Sequence, residues 1–330
     1  MASGALPEDS MDMTAYPTMF DPSSLVRKGF CPVRSGTPLL ETHSLYYEQH
    51  GTGEKRVLLI NGLNNNSFGW DYHVRSLAPT YSVLAFDNRG VGYSGYPPGR
   101  YTTSGMAEDI TVLLEHIGWT SLRQLHIVGT SLGGMIAQEL ATRIPDRIAS
   151  LVLCVTTPGG MPWQNFPPWK GVKALTTNCM GDSLLLTKEP EKKAPTVMKM
   201  LYPAAWLDAK STTDPQGRLN RQVQTEVWLR RVTFSAKQRI IGHVSQLTAA
   251  LTHRVTPDRL RLISEIIPKV LIVCGSEDWL VDLRHSYDLK THMPKAEFVQ
   301  WTDTGHGIYA QRPAEFHDLL VRVFREADLV

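Results

Sequence analysis

The stretch LHIVGTSLGGMIAQELATRIP, residues 125–145, predicts a strand, a sharp turn and a helix in direct succession. Its first residues are mostly apolar, small and apolar side chains then recur at helical spacing, and Pro145 marks the end of the helix. Ser131 lies at the turn, two residues after Gly129 and two before Gly133. A serine at so sharp a turn has a strained backbone, which leaves room for almost no side chain at the two glycine positions. The stretch therefore presents a serine hydroxyl at the beginning of a helix.

A Gly-x-Ser-x-Gly turn between a strand and a helix is typical of a nucleophilic serine. The helix contributes a positive dipole end and free N–H groups where negative charge develops during acyl transfer. We expect the backbone N–H of Leu132 to be one of the two donors of an oxyanion hole. The second donor is expected from the loop after the strand at 56–60, with Leu63 as the candidate. A surface turn rich in Gly and Ser is the alternative, and the flanking strand and helix disfavour it.

A nucleophilic serine needs a base that takes its proton and an acid that orients the base. In a fold with this turn, the acid and then the base follow the serine along the chain. Asp278 comes directly after one predicted strand, and His306 lies in the loop after the next. We therefore predict Ser131, Asp278 and His306 as the catalytic residues, with Glu277 and Asp282 as the alternatives for the acid.

Composition and charge are those of an ordinary globular protein. The chain has 330 residues, of which 42% are hydrophobic and 20% charged, and its formal net charge is +2. This small charge gives no electrostatic basis for binding nucleic acid or an anionic membrane surface. No apolar run approaches the roughly 20 residues of a membrane-spanning helix, and the N-terminal residues lack the pattern of a secretory signal. We expect a cytoplasmic protein.

The cysteines give no indication of a metal site. Cys31, Cys154, Cys179 and Cys274 are not spaced as metal ligands, and no cluster of histidines accompanies them, so no metal is predicted. Cys154 and Cys274 fall in predicted buried strands, where a cysteine behaves as a small apolar residue.

Strand and helix signals alternate along most of the chain. Predicted strands cover residues 45–49, 56–60, 83–86, 125–128, 151–155, 270–275 and 297–301. Predicted helices cover residues 67–77, 103–117, 132–144, 283–289 and 316–324. Several strands are continuous apolar runs, which indicates that both faces of the sheet are covered. The sequence therefore predicts an α/β fold with a mostly parallel central sheet and helices on both faces.

The alternation is interrupted after residue 157. Residues 158–169 contain four prolines and two glycines, and from about 170 to 250 helical signals replace strand signals. We predict a partly disordered N-terminal extension at 1–40, a first core part at 41–157, a helical lid insertion at 158–250 and a second core part at 251–330. Such an insertion would lie over the carboxyl ends of the strands, where open α/β sheets bind ligands. Substrate contacts are predicted for Asn61, Gly62 and Trp163.

One motif suggests a different function. The run GVGYSG at 90–95 matches the dinucleotide-binding pattern, which requires a helix that begins within the motif. The following YPPG at 96–99 prevents such a helix, so nucleotide binding is disfavoured. We expect the neighbouring Arg89 to brace loops through a salt bridge or hydrogen bonds, with substrate binding as the less favoured role.

Four motifs together resemble the α/β-hydrolase fold superfamily, and in particular its lid-bearing serine hydrolases. They are DNRGVGYS at 87–94, GTSLGG at 129–134, GSED at 275–278 and TGHG at 304–307. The resemblance extends from about Leu45 to the C-terminus. The N-terminal half is most similar to enol-lactonase and methylesterase-like members and more loosely similar to haloperoxidase-like relatives. The family normally has His-Gly where this chain has Asn61-Gly62, a departure that leaves the backbone donor at Leu63 in place.

The resemblance implies hydrolysis of a carboxylic ester, thioester or lactone of a small apolar molecule through a serine acyl-enzyme, without a cofactor. Two alternatives stay open, an acyltransferase that uses an alcohol acceptor on the same residues and a C–C bond hydrolase. A non-catalytic ligand receptor on the same fold is disfavoured because candidates for all three catalytic positions are intact. The expected partner is a small-molecule substrate, and the oligomeric state is open.

Overall fold

The computed structural model describes residues 13–33, 43–168 and 189–329. Within these ranges eight strands form one sheet. They are β1 (Leu25–Val33), β2 (His43–His50), β3 (Arg56–Ile60), β4 (Ser82–Phe86), β5 (Leu125–Thr130), β6 (Ile148–Cys154), β7 (Lys269–Gly275) and β8 (Glu297–Trp301). Their order is β1-β2-β4-β3-β5-β6-β7-β8. In this order, the six neighbouring strands β4, β3, β5, β6, β7 and β8 pair in parallel. Strand β2 pairs antiparallel with both of its neighbours, β1 and β4. The predicted α/β fold with a mostly parallel sheet is confirmed.

The helices connect these strands. Those of the described residues are α1 (Asp71–Leu77), α2 (Thr103–His116), α3 (Leu132–Ala141), α4 (Pro190–Leu201), α5 (Ala204–Asp208), α6 (Asn220–Phe234), α7 (Ile240–Leu251), α8 (Pro257–Ile266), α9 (Leu283–His292), α10 (Ile308–Gln311) and α11 (Pro313–Ala327). Short 3-10 helices precede α1 at Ser67–Trp70 and follow β6 at Pro162–Asn165. Each predicted helix outside the insertion is present, with bounds that differ by a few residues.

Both faces of the sheet are covered, as the apolar strand sequences predict. Alternate side chains of β3 point to opposite faces, so that Leu58 packs in one buried cluster and Leu59 in another. The first cluster includes side chains of α2 and α3, and the second includes side chains of α1 and α11. This packing leaves the carboxyl ends of the parallel strands as the edge at which loops can form a site.

The N-terminal region differs from the prediction in one respect. Within the predicted extension 1–40, residues Leu25–Val33 form an edge strand that pairs antiparallel with β2 over its whole length. The strand was missed because it contains Gly29 and Pro32 and shows no alternation of apolar and polar residues. Its order comes from hydrogen bonds to β2. Residues 1–12 and 34–40 of the predicted extension lie outside the described residues.

The region between β6 and β7 contains helices, as the loss of strand signals predicts. Helices α4 to α7, here called the inserted helices, account for most of the described residues from 189 to 251. Residues 169–188 of the predicted insertion lie outside the described part. The loop before them, with its 3-10 helix, matches the prolines and glycines of 158–168.

Several smaller predictions can be compared with the structure. Cys154 and Cys274 are buried free thiols within strands, and Cys31 is buried in β1, while Cys179 lies outside the described residues. Arg89 pairs with the buried carboxylate of Asp109, in the bracing role expected of it. In the part of the chain described, no helix has the length and apolar character that crossing a bilayer requires. The same residues contain no cluster of side chains suited to a metal ion.

The glycine-rich run at 90–95 packs against the carboxylate of Asp87. Its Oδ1 accepts a hydrogen bond from the backbone N–H of Ser67 (2.7 Å), and its Oδ2 accepts one from the backbone N–H of Tyr93 (2.8 Å). Burial raises the pKa of Asp87 to about 6, and these two N–H groups oppose the shift. The next helix, α2, begins at Thr103, so the run does not open a helix as a dinucleotide site requires.

Candidate active site

Ser131 has the strained backbone that the glycine spacing predicts. Its φ of 55° and ψ of −122° lie in a region that residues with a β-carbon rarely adopt. The turn is held by a hydrogen bond from the Ser131 N–H to the carbonyl of Cys154 (2.9 Å) at the end of β6. A β-carbon on Gly133 would lie only 2.2 Å from the carbonyl oxygen of Ile60, so the first turn of α3 packs directly against β3. The side chain of this strained serine stays partly exposed at the tip.

His306 and Asp278 are joined by a short hydrogen bond. The distance from His306 Nδ1 to Asp278 Oδ2 is 2.7 Å, and both residues are largely buried. The second carboxylate oxygen, Asp278 Oδ1, accepts from the backbone N–H groups of Leu280 (2.8 Å) and Val281 (2.9 Å). These donors fix the carboxylate, which in turn fixes the tautomer and the ring orientation of the histidine.

The alternative acids have other surroundings. Asp282 accepts from the N–H of Arg284 at the start of α9 and pairs with the same arginine's guanidinium. Glu277 is partly exposed, no described hydrogen bond or salt bridge joins its carboxylate to His306, and its backbone N–H donates to the carbonyl of Thr304. The geometry of the described residues therefore favours Asp278 as the partner of His306.

The three predicted catalytic residues lie at one edge of the sheet. Ser131 directly follows β5, Asp278 follows β7 and His306 follows β8, and these strands run parallel with β6 between β5 and β7. Loops that follow parallel strands emerge at their carboxyl ends, which is the edge where open α/β sheets bind ligands.

The loop after β3 approaches the serine closely. A β-carbon on Gly62 would lie 3.1 Å from the β-carbon of Ser131, a tight contact that would push the loop and the serine apart by a few tenths of an ångström. Leu63 follows in the loop and is partly exposed, and its N–H has no hydrogen-bond acceptor among the described residues. Leu132 is the first residue of α3, where N–H groups have no partner within the helix. Both predicted oxyanion donors thus remain available to a ligand.

Asn61 lies behind this loop. The residue is fully buried, and its Oδ1 accepts a hydrogen bond from Asn65 Nδ2 (3.0 Å). Its backbone carbonyl accepts from Asn88 Nδ2 (3.1 Å). The hydrogen-bonded side chains of Asn61 and Asn65 thus hold the loop from its buried side. In relatives with His-Gly, a histidine would stand in the place of Asn61. The Nδ2 of Asn61 has no hydrogen-bond partner among the described residues, and the predicted substrate contact of Asn61 stays a prediction.

Trp163 lies elsewhere on the surface. Its side chain is 67% exposed, and together with Phe166 and His285 it lines a depression of about 520 Å³. The residues that line this depression include neither Ser131 nor His306. The predicted substrate contact of Trp163 therefore has no support from its position.

The inserted helices contact the loop that carries His306. The backbone N–H of Gly307 donates to the carbonyl of Leu201, the last residue of α4 (2.9 Å). A β-carbon on Gly305 would lie 2.5 Å from the same carbonyl oxygen. The glycines on both sides of His306 thus permit close backbone contact with the insertion.

We expect Gly305→Ala to lower kcat/KM for a turned-over ester by roughly 10- to 100-fold, because a displacement of about 1 Å in a catalytic group can cost that much. The added methyl group would overlap a backbone oxygen that cannot turn aside, so the His306 loop and α4 must separate. Steady-state kinetics and the thermal midpoint should be measured together. Gly29→Ala in β1 is the matched control, since its β-carbon would meet Tyr47 at an ordinary 3.5 Å. Full activity of Gly305→Ala would contradict the importance of this contact.

The structure also brings together polar residues that the sequence did not single out. Tyr309, three residues after His306, accepts a hydrogen bond at its hydroxyl from Asn65 Nδ2 (2.9 Å). Asn64 contacts two residues of α7, through its N–H to Gln246 (3.0 Å) and its side chain to His243 (2.6 Å). The run of asparagines after Gly62 was the only sequence signal of this network.

The chain can now be compared with known proteins. A family model described as alpha/beta hydrolase fold matches residues 55–313, well over half of the chain. The chain belongs to the α/β-hydrolase fold family. This α/β hydrolase is 28% identical over 283 residues to "Putative carbamate hydrolase RutD" of Caulobacter vibrioides, a match that covers 84% of this chain and 94% of the relative. A protein of the same name from Agrobacterium fabrum is 26% identical over 292 residues, covering 86% and 99% of the two chains.

Solved structures of the family show the same fold as this α/β hydrolase. A thermophilic esterase from Thermogutta terrifontis superposes with a TM-score of 0.69 at 20% identity, covering 91% of this chain and 99% of the esterase. An enol-lactonase from Burkholderia xenovorans superposes with a TM-score of 0.66 at 21% identity, covering 86% and 97%. These structures show the fold, and the family match together with the sequence relatives supports a hydrolase.

Proposed function

We propose that this α/β hydrolase cleaves a carboxylic ester, thioester or lactone of a small molecule through a serine acyl-enzyme. The observation that carries the proposal is the strained Ser131 at one edge of the sheet with the hydrogen-bonded pair of His306 and Asp278 at the same edge. A strained nucleophile turn has a steric cost, and such strain concentrates at functional sites.

In the first half of the reaction, Ser131 Oγ attacks the carbonyl carbon of the substrate while its proton passes to His306 Nε2. The carbonyl oxygen becomes an oxyanion, which the N–H groups of Leu63 and Leu132 would stabilise. As the intermediate collapses, the carbon–oxygen or carbon–sulfur bond to the leaving group breaks and His306 returns the proton to it. The products are an acylated Ser131 and a free alcohol or thiol, which in a lactone remains part of the acyl chain.

In the second half, water takes the place of the leaving group. His306 removes a proton from the water, whose oxygen attacks the acyl carbon. The bond between that carbon and Ser131 Oγ then breaks, His306 returns the proton to Oγ, and the acid is released. An alcohol in the position of the water would instead yield a new ester. Asp278 stabilises the imidazolium that forms in both halves, through the bond at His306 Nδ1.

The name of the RutD relatives adds carbamates to the substrate classes worth testing. A carbamate carbonyl would be attacked by the same serine and would give a carbamoyl-enzyme, so the residues have the same roles. The contacts of the inserted helices with the His306 loop support a lid at 158–250 between the core parts at 41–157 and 251–330.

A substrate panel tests the proposal. The purified protein should be assayed against esters, thioesters, lactones and carbamates of graded acyl length, each with and without an added alcohol. We expect turnover of at least one ester or lactone class, with release of acid as the main product. Transfer of the acyl group to the alcohol in preference to water would favour the acyltransferase, and turnover of carbamates alone would replace the ester proposal. If no class is turned over while the protein is folded, the proposal is wrong.

A further inference from the structure

A group of polar side chains borders the loop beside the serine. We call Asn65, Arg231 and Tyr309 the polar rim. Asn65 comes from the loop after β3, Tyr309 from α10 and Arg231 from the inserted helix α6. All three residues are partly exposed in the described structure, and Tyr309 also packs against the buried cluster that includes α1 and α11.

Asn65 and Arg231 of the polar rim approach the same backbone position, and Asn65 joins Tyr309 to them. A β-carbon built on Gly69 would lie 2.6 Å from Asn65 Nδ2 and 3.1 Å from Arg231 Nη1. Asn65 Nδ2 also donates to the Tyr309 hydroxyl (2.9 Å). Burial raises the pKa of the Tyr309 phenol, and the nearby Arg231 guanidinium is the first influence that opposes this shift. The guanidinium therefore lies beside the phenol and the amide.

Arg231 has no carboxylate partner among the described residues, in contrast to two arginines near the start of α6. Arg218, just before α6, pairs with Asp214 and Glu226, and Arg221 pairs with Asp208. Among the salt bridges of the described residues, none involves Arg231, although its side chain is partly buried. No described carboxylate neutralises its guanidinium, which can therefore pair with an anion bound beside it.

The polar rim is connected to the nucleophile by short contacts. The N–H of Asn65 donates to the carbonyl of Gly62 (3.3 Å), and Gly62 packs against Ser131. Tyr309 follows His306 by three residues in the chain. A substrate bound at Ser131 and extending over Gly62 would therefore meet the polar rim with its distal end.

We propose that Arg231 selects substrates whose acyl part ends in a carboxylate. The planar guanidinium can donate two parallel hydrogen bonds to a carboxylate, which suits it to this role better than a lysine ammonium. Tyr309 and Asn65 position the guanidinium, and the substrate carboxylate supplies the counter-ion that the described residues do not provide there. The inference rests on the proposed hydrolase function and narrows its substrate to an acyl group with an anionic end, in place of the apolar molecule that the sequence resemblance implies.

A matched pair of substrates tests the role of Arg231. The 4-nitrophenyl monoesters of glutaric and adipic acid should be compared with the same esters whose distal carboxyl is methylated. We expect the wild type to prefer the free acids, and Arg231→Gln to lower kcat/KM for them by roughly 10- to 100-fold, as expected for loss of a charge-assisted pair. The methylated esters should change by less than about 3-fold, because they make no charge-assisted bond at this position.

Two further variants control for damage to the helix. Arg230→Gln removes the exposed neighbouring arginine and should leave both substrate types unaffected. Arg231→Lys keeps the positive charge but lacks the planar guanidinium, and we expect it to keep part of the preference for the free acids. Equal losses on both substrate types in Arg231→Gln, or a wild type without preference for the free acids, would overturn the inference.

Binding without turnover separates the inference from the proposed function. Titration calorimetry of Ser131→Ala with monomethyl adipate should show binding that the added Arg231→Gln change weakens by roughly 10-fold or more. Such binding by a protein that turns over no ester would contradict the proposed function and would still support the anion site. Binding of equal strength with and without Arg231 would contradict the anion site and leave the proposed function unaffected.

Discussion

Ser131→Ala is expected to lose at least about 10⁴-fold in kcat on whichever ester the wild type turns over. The reason is that the acyl-enzyme route needs the Oγ atom, and in the described residues no neighbouring hydroxyl occupies the same strained turn. Alanine has the same β-carbon as serine, so it meets the same steric strain at φ 55° and adds no new contact. The thermal midpoint should therefore stay within a few degrees of the wild type, since no described hydrogen bond of the Oγ atom is lost.

A covalent probe gives this prediction a second measurement. A fluorophosphonate should label the wild type at Ser131, as located by peptide mass spectrometry, and should fail to label Ser131→Ala. His306→Ala should also react slowly, because the hydroxyl is then no longer activated by a base. Undiminished turnover by Ser131→Ala, or a label on another residue, would remove the serine from the mechanism.

Asp278→Asn is expected to lower kcat by roughly 10³- to 10⁴-fold at neutral pH. The geometry around the carboxylate explains why an amide cannot replace it. The N–H groups of Leu280 and Val281 both donate to Asp278 Oδ1, so an asparagine would direct its carbonyl oxygen to them. Its NH₂ group would then face His306 Nδ1 and donate to it, which leaves the ring proton on Nε2. In that tautomer the imidazole cannot accept the proton of Ser131.

The control for Asp278→Asn lies four residues further along. Asp282→Asn changes a carboxylate of the same loop that caps α9 and pairs with Arg284, and we expect nearly full activity from it. Kinetics of the two variants should be measured with their thermal midpoints. A loss of activity in Asp282→Asn with none in Asp278→Asn would reverse the assignment of the acid.

Much of the fold could be predicted because its signals are local. The apolar runs of β3 and β5 are strand-like on their own, and the glycines around Ser131 have a steric meaning that needs no distant partner. The edge strand β1 was missed since its order depends on hydrogen bonds to β2, which no pattern within residues 25–33 reveals. Helix α8 was also missed. It begins at Pro257 after the capping residue Thr256, shortly after the predicted end of the insertion at 250.

The predicted site divides in the same way. Asp278 and His306 could be proposed because each follows a recognisable strand, and the structure joins them by a hydrogen bond. The substrate contacts were weaker predictions, since whether a side chain is buried or exposed depends on what packs over it. Asn61 is buried behind its loop, and Trp163 lies beside a separate depression.

By itself the sequence determined the α/β fold, the strained serine turn and the order of the three candidate catalytic residues, because each follows from short-range stereochemistry and strand periodicity. Only the tertiary structure decided which groups surround them. Arg231 lies 162 positions after Gly69 in the chain, yet its guanidinium approaches that backbone and the Asn65 amide. Contacts between residues so far apart depend on how the inserted helices pack against the sheet, and no local pattern encodes that packing.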